Sequence, residues 1–157
     1  MTRPLEVDIQ FDVFLVRKIQ DVFVAGGKFR ELQGKRWDYT KLMELPLICL
    51  EGNTSTRKYV DGFLKERQVE VTPEFELATS DMIVQFALRN LGIGCVVEDF
   101  IKKQLDSGEL FKLEFETPIP ERDMCLIVDK RVTMSVAALR LKELLEQGLQ
   151  GGREIEE

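Results

Sequence analysis

The strongest constraint on the fold is an alternation of short apolar runs with helix-like segments in the middle of the chain. Strands are predicted for residues 45–51 (LPLICLE), 74–78 (EFELA) and 93–97 (IGCVV), and apolar residues recur at helical spacing after them. Short links between such elements are typical of an α/β domain with right-handed crossovers. The sequence therefore predicts a Rossmann-like, mainly parallel sheet flanked by helices.

Further elements are predicted on either side of this alternation. Strand-like stretches cover residues 7–16 and 19–25, and residues 110–115 and 124–128 predict additional antiparallel or crossing strands. A last helix is predicted for residues 135–147. The alternating segment is therefore expected to form the main sheet, with further strands added around it.

Composition excludes several kinds of chemistry. The chain has 22 Lys and Arg against 28 Asp and Glu, a net charge of −6, which disfavours direct contact with the nucleic-acid backbone. It contains no histidine, so histidine-based catalysis and histidine-bearing zinc sites are ruled out. We expect no catalytic residue, no metal and no cofactor.

The cysteines and the hydropathy of the sequence favour a particular cellular compartment, the cytoplasm. Cys49, Cys95 and Cys125 all lie in apolar, strand-like runs, which predicts buried reduced thiols in a cytosolic protein. No apolar run approaches the roughly 20 residues that a membrane span needs. We expect a cytoplasmic location and no membrane partner.

Two polar corners are candidates for ligand binding. In an open α/β sheet, ligands bind at the carboxyl ends of the strands, where helix N-termini present free N–H groups. Short hydroxyl and amide side chains follow two successive predicted strands. The candidate ligand-binding residues are Asn53, Thr54, Ser55, Thr56, Thr79 and Ser80.

The same residues have a second interpretation. Asn, Ser, Thr and Asp are preferred helix caps, and each cap contributes about 1 kcal/mol to its helix without any ligand. Both interpretations stay open for both corners. At the second corner Asp81 would compete with an anion for the helix amides, so a zwitterion or a neutral polar ligand suits that corner better.

Longer stretches of the chain resemble a known family. The order LPLICLEGNTSTRKYVDGFL, EFELATSDMIVQFALRNLGIGCVVEDF, SGELFKLEF and DMCLIVDKRVTMSVAALRLKELL resembles the effector-binding region of LysR-type transcriptional regulators. The resemblance covers roughly residues 19–145. It implies a periplasmic-binding-protein type II-like architecture, in which two α/β subdomains joined by crossover strands hold a small effector between them. It also implies that the two polar corners line the second subdomain's side of that cleft.

The resemblance further implies a division of the chain. Residues 1–18 would be a remnant of the first regulatory subdomain, 19–130 the second, effector-binding subdomain, 131–147 the C-terminal helix of the first, and 148–157 a flexible acidic tail. The family's winged helix-turn-helix has no counterpart in these residues. The sequence is therefore interpreted as a truncated regulator without direct nucleic-acid contacts, which senses an anionic or zwitterionic metabolite.

The last predicted helix carries an apolar stripe. Burying three leucines contributes roughly 5–9 kcal/mol, which is comparable to the stability of a whole domain. Leaving the stripe exposed to solvent is therefore energetically unfavourable. We expect the stripe to be covered, either by packing on the N-terminal segment or by pairing with a second copy of the chain in a homodimer or higher oligomer. The expected interface residues are Ala137, Leu141, Leu144 and Leu145.

Two other functions are weighed against effector sensing. A small α/β enzyme could use the same corners to hold an anionic substrate, although the chain offers no histidine and no nucleophile elbow. A stand-alone oligomerising fragment would differ in biological role rather than in its physical properties. Product formation would identify the enzyme, whereas ligand binding without turnover is expected of the sensor.

Overall fold

The structure is a computed structural model that describes residues 10–151, with side chains described up to residue 148. Within that range the chain forms two compact units. The first unit combines residues 10–18 with residues 122–151, and the second comprises Ile19–Glu121. The sequence places the end of the second unit at residue 130. The structure ends it at Glu121, because the strand that follows pairs with the strand beginning at Phe11 and not with the large sheet.

The described chain contains the following strands and helices. The strands are β1 (Phe11–Ile19), β2 (Asp21–Ala25), β3 (Arg36–Trp37), β4 (Leu47–Leu50), β5 (Phe75–Leu77), β6 (Ile93–Val97), β7 (Phe111–Lys112), β8 (Glu114–Phe115) and β9 (Arg122–Asp129). The α-helices are α1 (Ser55–Glu66), α2 (Ser80–Leu88), α3 (Lys102–Ser107) and α4 (Val136–Gly151). Short 3-10 helices cover Gly27–Leu32, Tyr39–Glu44 and Glu98–Ile101.

Within residues 19–121, five strands form one sheet in the order β5-β4-β6-β2-β7. β4 pairs in parallel with both β5 and β6. β2 runs antiparallel to both of its neighbours, β6 and β7, so four strands share one direction and β2 opposes them. The predicted mainly parallel sheet is confirmed. The reversed direction of β2 is a feature that its apolar composition did not indicate.

Helices cover both faces of this sheet. α1 contributes Val60, Phe63 and Leu64 to a core that also contains Cys49 and Cys95. On the opposite face, α2 contributes Ile83, Val84 and Ala87 to a second core. Every residue of β6 is buried. This is the burial expected of a strand covered on both sides, and it explains why the sequence there is continuously apolar rather than alternating.

The first unit has a two-stranded sheet, formed by β1 and β9, and the helix α4. The Lys142 ammonium lies 4.4 Å from the centroid of the Phe14 ring, which places α4 over one face of β1. On the other face of β1, Phe11, Val13 and Leu15 are exposed. Cys125 of β9 is exposed as well, so the prediction of a buried thiol there is wrong. The reason is that its face of β9 has no cover within residues 10–151.

The end of α4 also differs from the sequence-based boundary. The helix continues to Gly151, whereas its predicted end is residue 147 and a flexible tail is predicted from residue 148. Gly148 lowers helix propensity by about 1 kcal/mol relative to alanine, which is not enough to stop an established helix. Residues 1–9 and 152–157, to which the remaining terminal predictions apply, lie outside the described residues. Among helices within residues 10–151, none is long and apolar enough to cross a membrane.

Candidate functional site at the carboxyl edge of the sheet

The two predicted corners follow neighbouring strands. β4 and β5 are parallel, with Leu50 opposite Leu77, and the Glu51 N–H donates to the Leu77 carbonyl at 3.1 Å. The starts of α1 and α2 therefore lie side by side at one edge of the sheet. The helices then diverge, because α1 packs on one face and α2 on the other. The two groups of polar residues are therefore neighbours at the N-termini of α1 and α2, while the remainder of the two helices lies on opposite faces of the sheet.

Both threonines act as helix caps. The Thr54 hydroxyl accepts from the Arg57 N–H at 3.2 Å and donates to the Glu51 carbonyl at 2.9 Å. The Thr79 hydroxyl accepts from the Met82 N–H at 3.4 Å. The capping interpretation is confirmed for these two residues, and ligand binding by them stays a prediction.

The other four candidates differ in how free their side chains are. Asn53 and Ser55 are exposed and Ser80 is half-buried, and none of the three forms a side-chain hydrogen bond with another residue of the described chain. Thr56 is half-buried and has an interaction partner. Asn53, Ser55 and Ser80 are therefore the side chains at this edge with hydrogen-bonding capacity left for a ligand.

Arg57 connects the elements of this edge, but it is not among the site residues predicted from the sequence. Its guanidinium donates to the Leu50 carbonyl at 3.0 Å and to Asp61 at 2.8 Å, and lies 3.4 Å from a carboxylate oxygen of Glu76. Burial acts to lower the pKa of Arg57, but the hydrogen bonds and charge of Asp61 outweigh burial and leave the pKa raised. The residue thus joins the end of β4 to α1 and β5. The i,i+4 spacing of Arg57 and Asp61 is the sequence signal that could have identified it.

The charge balance at this edge limits which ligands suit it. The Arg57 cation is already shared by Asp61 and Glu76. Two further carboxylates are exposed at this edge, Glu51 directly after β4 and Asp81 in the first turn of α2. An anion would therefore depend on the first backbone N–H groups of α1 and α2, which have no partner within their helices. A zwitterion or a neutral polar molecule meets less repulsion here than a dianion does.

A cavity of about 440 Å³ lies elsewhere in the second unit and does not include either corner. Its walls come from three segments far apart in sequence, around residues 20–23, 36–39 and 112–119. No local pattern links these segments, which is why sequence reasoning did not find the cavity. Within residues 10–151, no group of three or more Cys, Asp or Glu could hold a metal ion.

The predicted interface residues of α4 lie largely in solvent. Leu141 is 54% exposed and Leu144 50% exposed, Ala137 is exposed, and Leu145 is half-buried. The stripe therefore keeps an uncovered apolar surface within the described part of the chain, and its role in oligomerisation stays a prediction.

Comparison with known proteins identifies the family. The LysR substrate binding domain family matches residues 4–150. The HTH-type transcriptional activator CmpR of Synechocystis sp. (strain ATCC 27184 / PCC 6803 / Kazusa) is 24% identical over 135 residues, which cover 86% of this chain and 44% of CmpR. The chain thus spans less than half the length of this curated relative.

Solved structures agree in fold. The regulatory domain of CcmR from Synechocystis PCC6803 in complex with 2-PG superposes with a TM-score of 0.73 at 21% identity, covering 92% of this chain and 69% of that domain. The effector-binding domain of QuiR in complex with shikimate gives a TM-score of 0.73 at 16% identity, covering 94% and 69% respectively. The chain belongs to the LysR substrate-binding domain family, and it has the periplasmic-binding-protein type II-like α/β fold of the effector-binding domains of LysR-type regulators.

Proposed function

We propose that this chain is the effector-sensing part of a LysR-type transcriptional regulator, and that the edge formed by the starts of α1 and α2 binds its effector. The proposed ligand is a small carboxylate or amino-acid-like metabolite. The observation that carries the proposal is the position of two helix N-termini behind neighbouring parallel strands, with Asn53, Ser55 and Ser80 free to bind. The complexes of CcmR with 2-PG and of QuiR with shikimate support a small polar ligand.

The residues of the edge have distinct roles in this proposal. Backbone N–H groups at the two helix starts hold a carboxylate, because the positive ends of the helix dipoles favour negative charge there. Asn53, Ser55 and Ser80 hydrogen-bond the polar groups of the ligand, while Thr54 and Thr79 keep the helix starts in place. Binding favours one conformation of the regulator over another by the difference in affinity between the two. No covalent bond is made or broken.

The direct test is calorimetric titration of the chain with shikimate and with small amino acids. Asn53→Ala and Ser55→Ala remove free polar groups without touching either cap, and each is expected to weaken binding by about tenfold. Gln33→Ala is the control, because Gln33 is also an exposed polar side chain but lies outside the edge. Equal affinities in all four proteins would contradict the assignment of the site.

A sensor binds its ligand without changing it. After prolonged incubation, mass spectrometry is expected to recover the added ligand intact. Product formation would instead support the alternative of a small α/β enzyme acting on an anionic substrate.

We further propose that the chain associates as a homodimer or higher oligomer through Ala137, Leu141, Leu144 and Leu145, and that it resides in the cytoplasm. The exposed leucines of α4 support the first proposal. The free thiols of Cys49, Cys95 and Cys125 support the second, because reduced cysteines are usual in a reducing compartment.

A further inference from the structure

The cavity of about 440 Å³ in the second unit has the size of a small-molecule site. It is lined by residues of β2, β3 and β8 together with Glu116, Pro118 and Ile119. All of its lining residues belong to Ile19–Glu121, so the cavity is a property of one compact unit.

Charges of both signs line this cavity, and three of them have no ion-pair partner in the part of the chain that the structure describes. Arg36 and Glu114 occupy paired positions on the neighbouring parallel strands β3 and β8, yet neither forms an ion pair with any residue from 10 to 151. Glu116 is likewise exposed and without an ion pair in that range. The second lining cation, Lys112, lies 2.7 Å from Glu98 and is already compensated. The buried Asp21 also lines the cavity and has an interaction partner of its own. The cavity thus offers one available cation and two available carboxylates.

An apolar wall adjoins these charges and is held rigidly. Phe115 lines the cavity and stacks on Tyr39, with 4.2 Å between ring centroids and 5° between ring planes. It also meets Phe23 edge-on at 5.8 Å. The Tyr39 hydroxyl donates to the Thr117 carbonyl at 2.7 Å, which fixes the stack against the segment that carries Pro118. A ligand would therefore meet a preorganised aromatic surface, which reduces the entropic cost of binding.

We propose that this cavity binds a zwitterionic amino acid with an apolar side chain. The Arg36 guanidinium takes the carboxylate, Glu114 and Glu116 take the ammonium, and the side chain lies against Phe115 and Pro118. A carboxylate without an amine would be repelled by the two glutamates. An amine without a carboxylate would leave Arg36 uncompensated, so the lining selects a molecule with both charges.

The experiment is calorimetric titration of the chain with L-phenylalanine, L-leucine and L-methionine, and with two analogues of phenylalanine that each carry one charge, 3-phenylpropionate and 2-phenylethylamine. At least one of the amino acids is expected to bind more tightly than either analogue. Arg36→Gln should weaken amino-acid binding by about tenfold and leave 2-phenylethylamine unaffected, and Glu114→Gln should leave 3-phenylpropionate binding unchanged or stronger while weakening the amino acid. Arg30→Gln is the matched control, because Arg30 is an exposed arginine outside the cavity and is expected to have no effect.

Three results would overturn the proposal. The first is that none of the three amino acids binds at about 10 mM, where even millimolar affinity would be measurable. The second is equal affinity for the amino acids and the singly charged analogues. The third is loss of amino-acid binding in Asn53→Ala with no loss in Arg36→Gln, which would place the ligand at the edge formed by α1 and α2. Because the two sites share no residue, either proposal can fail while the other stands.

Discussion

Among individual side chains, two buried thiols make the free energy of unfolding depend on pH. Burial raises the pKa of Cys49 to about 11 and holds the pKa of Cys95 well above its ordinary value of 9.0. In the unfolded chain these thiols ionise near pH 9, whereas in the folded protein they stay protonated to higher pH. The folded state therefore binds more protons in that window. The resulting stabilisation is complete below about pH 9 and is lost as pH rises towards 11.

We expect the free energy of unfolding to fall as pH rises from about 8 to about 10.5. Once pH passes the folded-state pKa of Cys49, ionisation of this thiol removes about 2–3 kcal/mol from the free energy of unfolding. Urea denaturation at several pH values measures this. Cys49→Ala should flatten the dependence, and Cys125→Ala, which removes an exposed thiol, should leave it unchanged. An identical pH dependence in wild type and Cys49→Ala would contradict the assignment. Tyr39 adds to the fall only at higher pH, because burial raises its pKa to about 12.

At the element scale, the packing of α2 on β6 depends on a glycine. A Cβ at Gly94 would lie 2.9 Å from Cγ2 of Ile83 and 3.5 Å from Cβ of Ala87. Ile83 is fully buried and β-branched, so its side chain has little freedom to move aside. The absence of a side chain at Gly94 is thus what lets the helix approach the strand.

Gly94→Ala is expected to destabilise the protein by about 1–3 kcal/mol through overpacking. Gly62→Ala is the matched control in the interior of α1, where a Cβ meets nothing within 4 Å. That change should stabilise the protein by up to about 1 kcal/mol, because alanine is the better helix former. Chemical denaturation of the two variants measures both effects. A neutral Gly94→Ala would show that α2 can shift away from β6 at little cost.

At the scale of the whole molecule, the exposed stripe of α4 predicts self-association. Leu141 and Leu144 are each about half exposed on the same face of the helix, and a two-fold dimer is the commonest way to cover such a surface. Leu144→Asp is expected to convert the dimer to monomer in sedimentation velocity at micromolar concentration. Leu139→Asp is the control, since Leu139 is 47% exposed but lies on another side of the helix. A monomeric wild type, or equal association in both variants, would contradict the proposed interface.

Much of the fold was accessible from the sequence because its signals are local. The strand predicted in the apolar run at residues 45–51, the helix predicted after it and the caps Thr54 and Thr79 are all found in the structure. Each depends on residues within one or two turns of each other, or on the period of a single strand. The position of the polar corners followed for the same reason, since a cap marks the start of a helix and a parallel strand ends just before it.

Local sequence patterns did not predict the features that depend on contacts between separate elements, such as strand direction, strand pairing and the burial of a strand face. The reversed direction of β2 and the pairing of β9 with β1 are set by contacts between segments about 70 or more residues apart. Cys125 has an apolar, strand-like neighbourhood in sequence and is nevertheless exposed, because burial is decided by what covers a strand face and not by the strand itself. The arrangement of Arg57, Leu50 and Glu76, like the cavity between β2 and β8, arises where separate strands and helices come together. The kind and order of the elements follow from the sequence, because they depend on short-range periodicity and capping. Strand direction, strand partners and the lining of the cavity are set by the tertiary structure, because they depend on long-range packing.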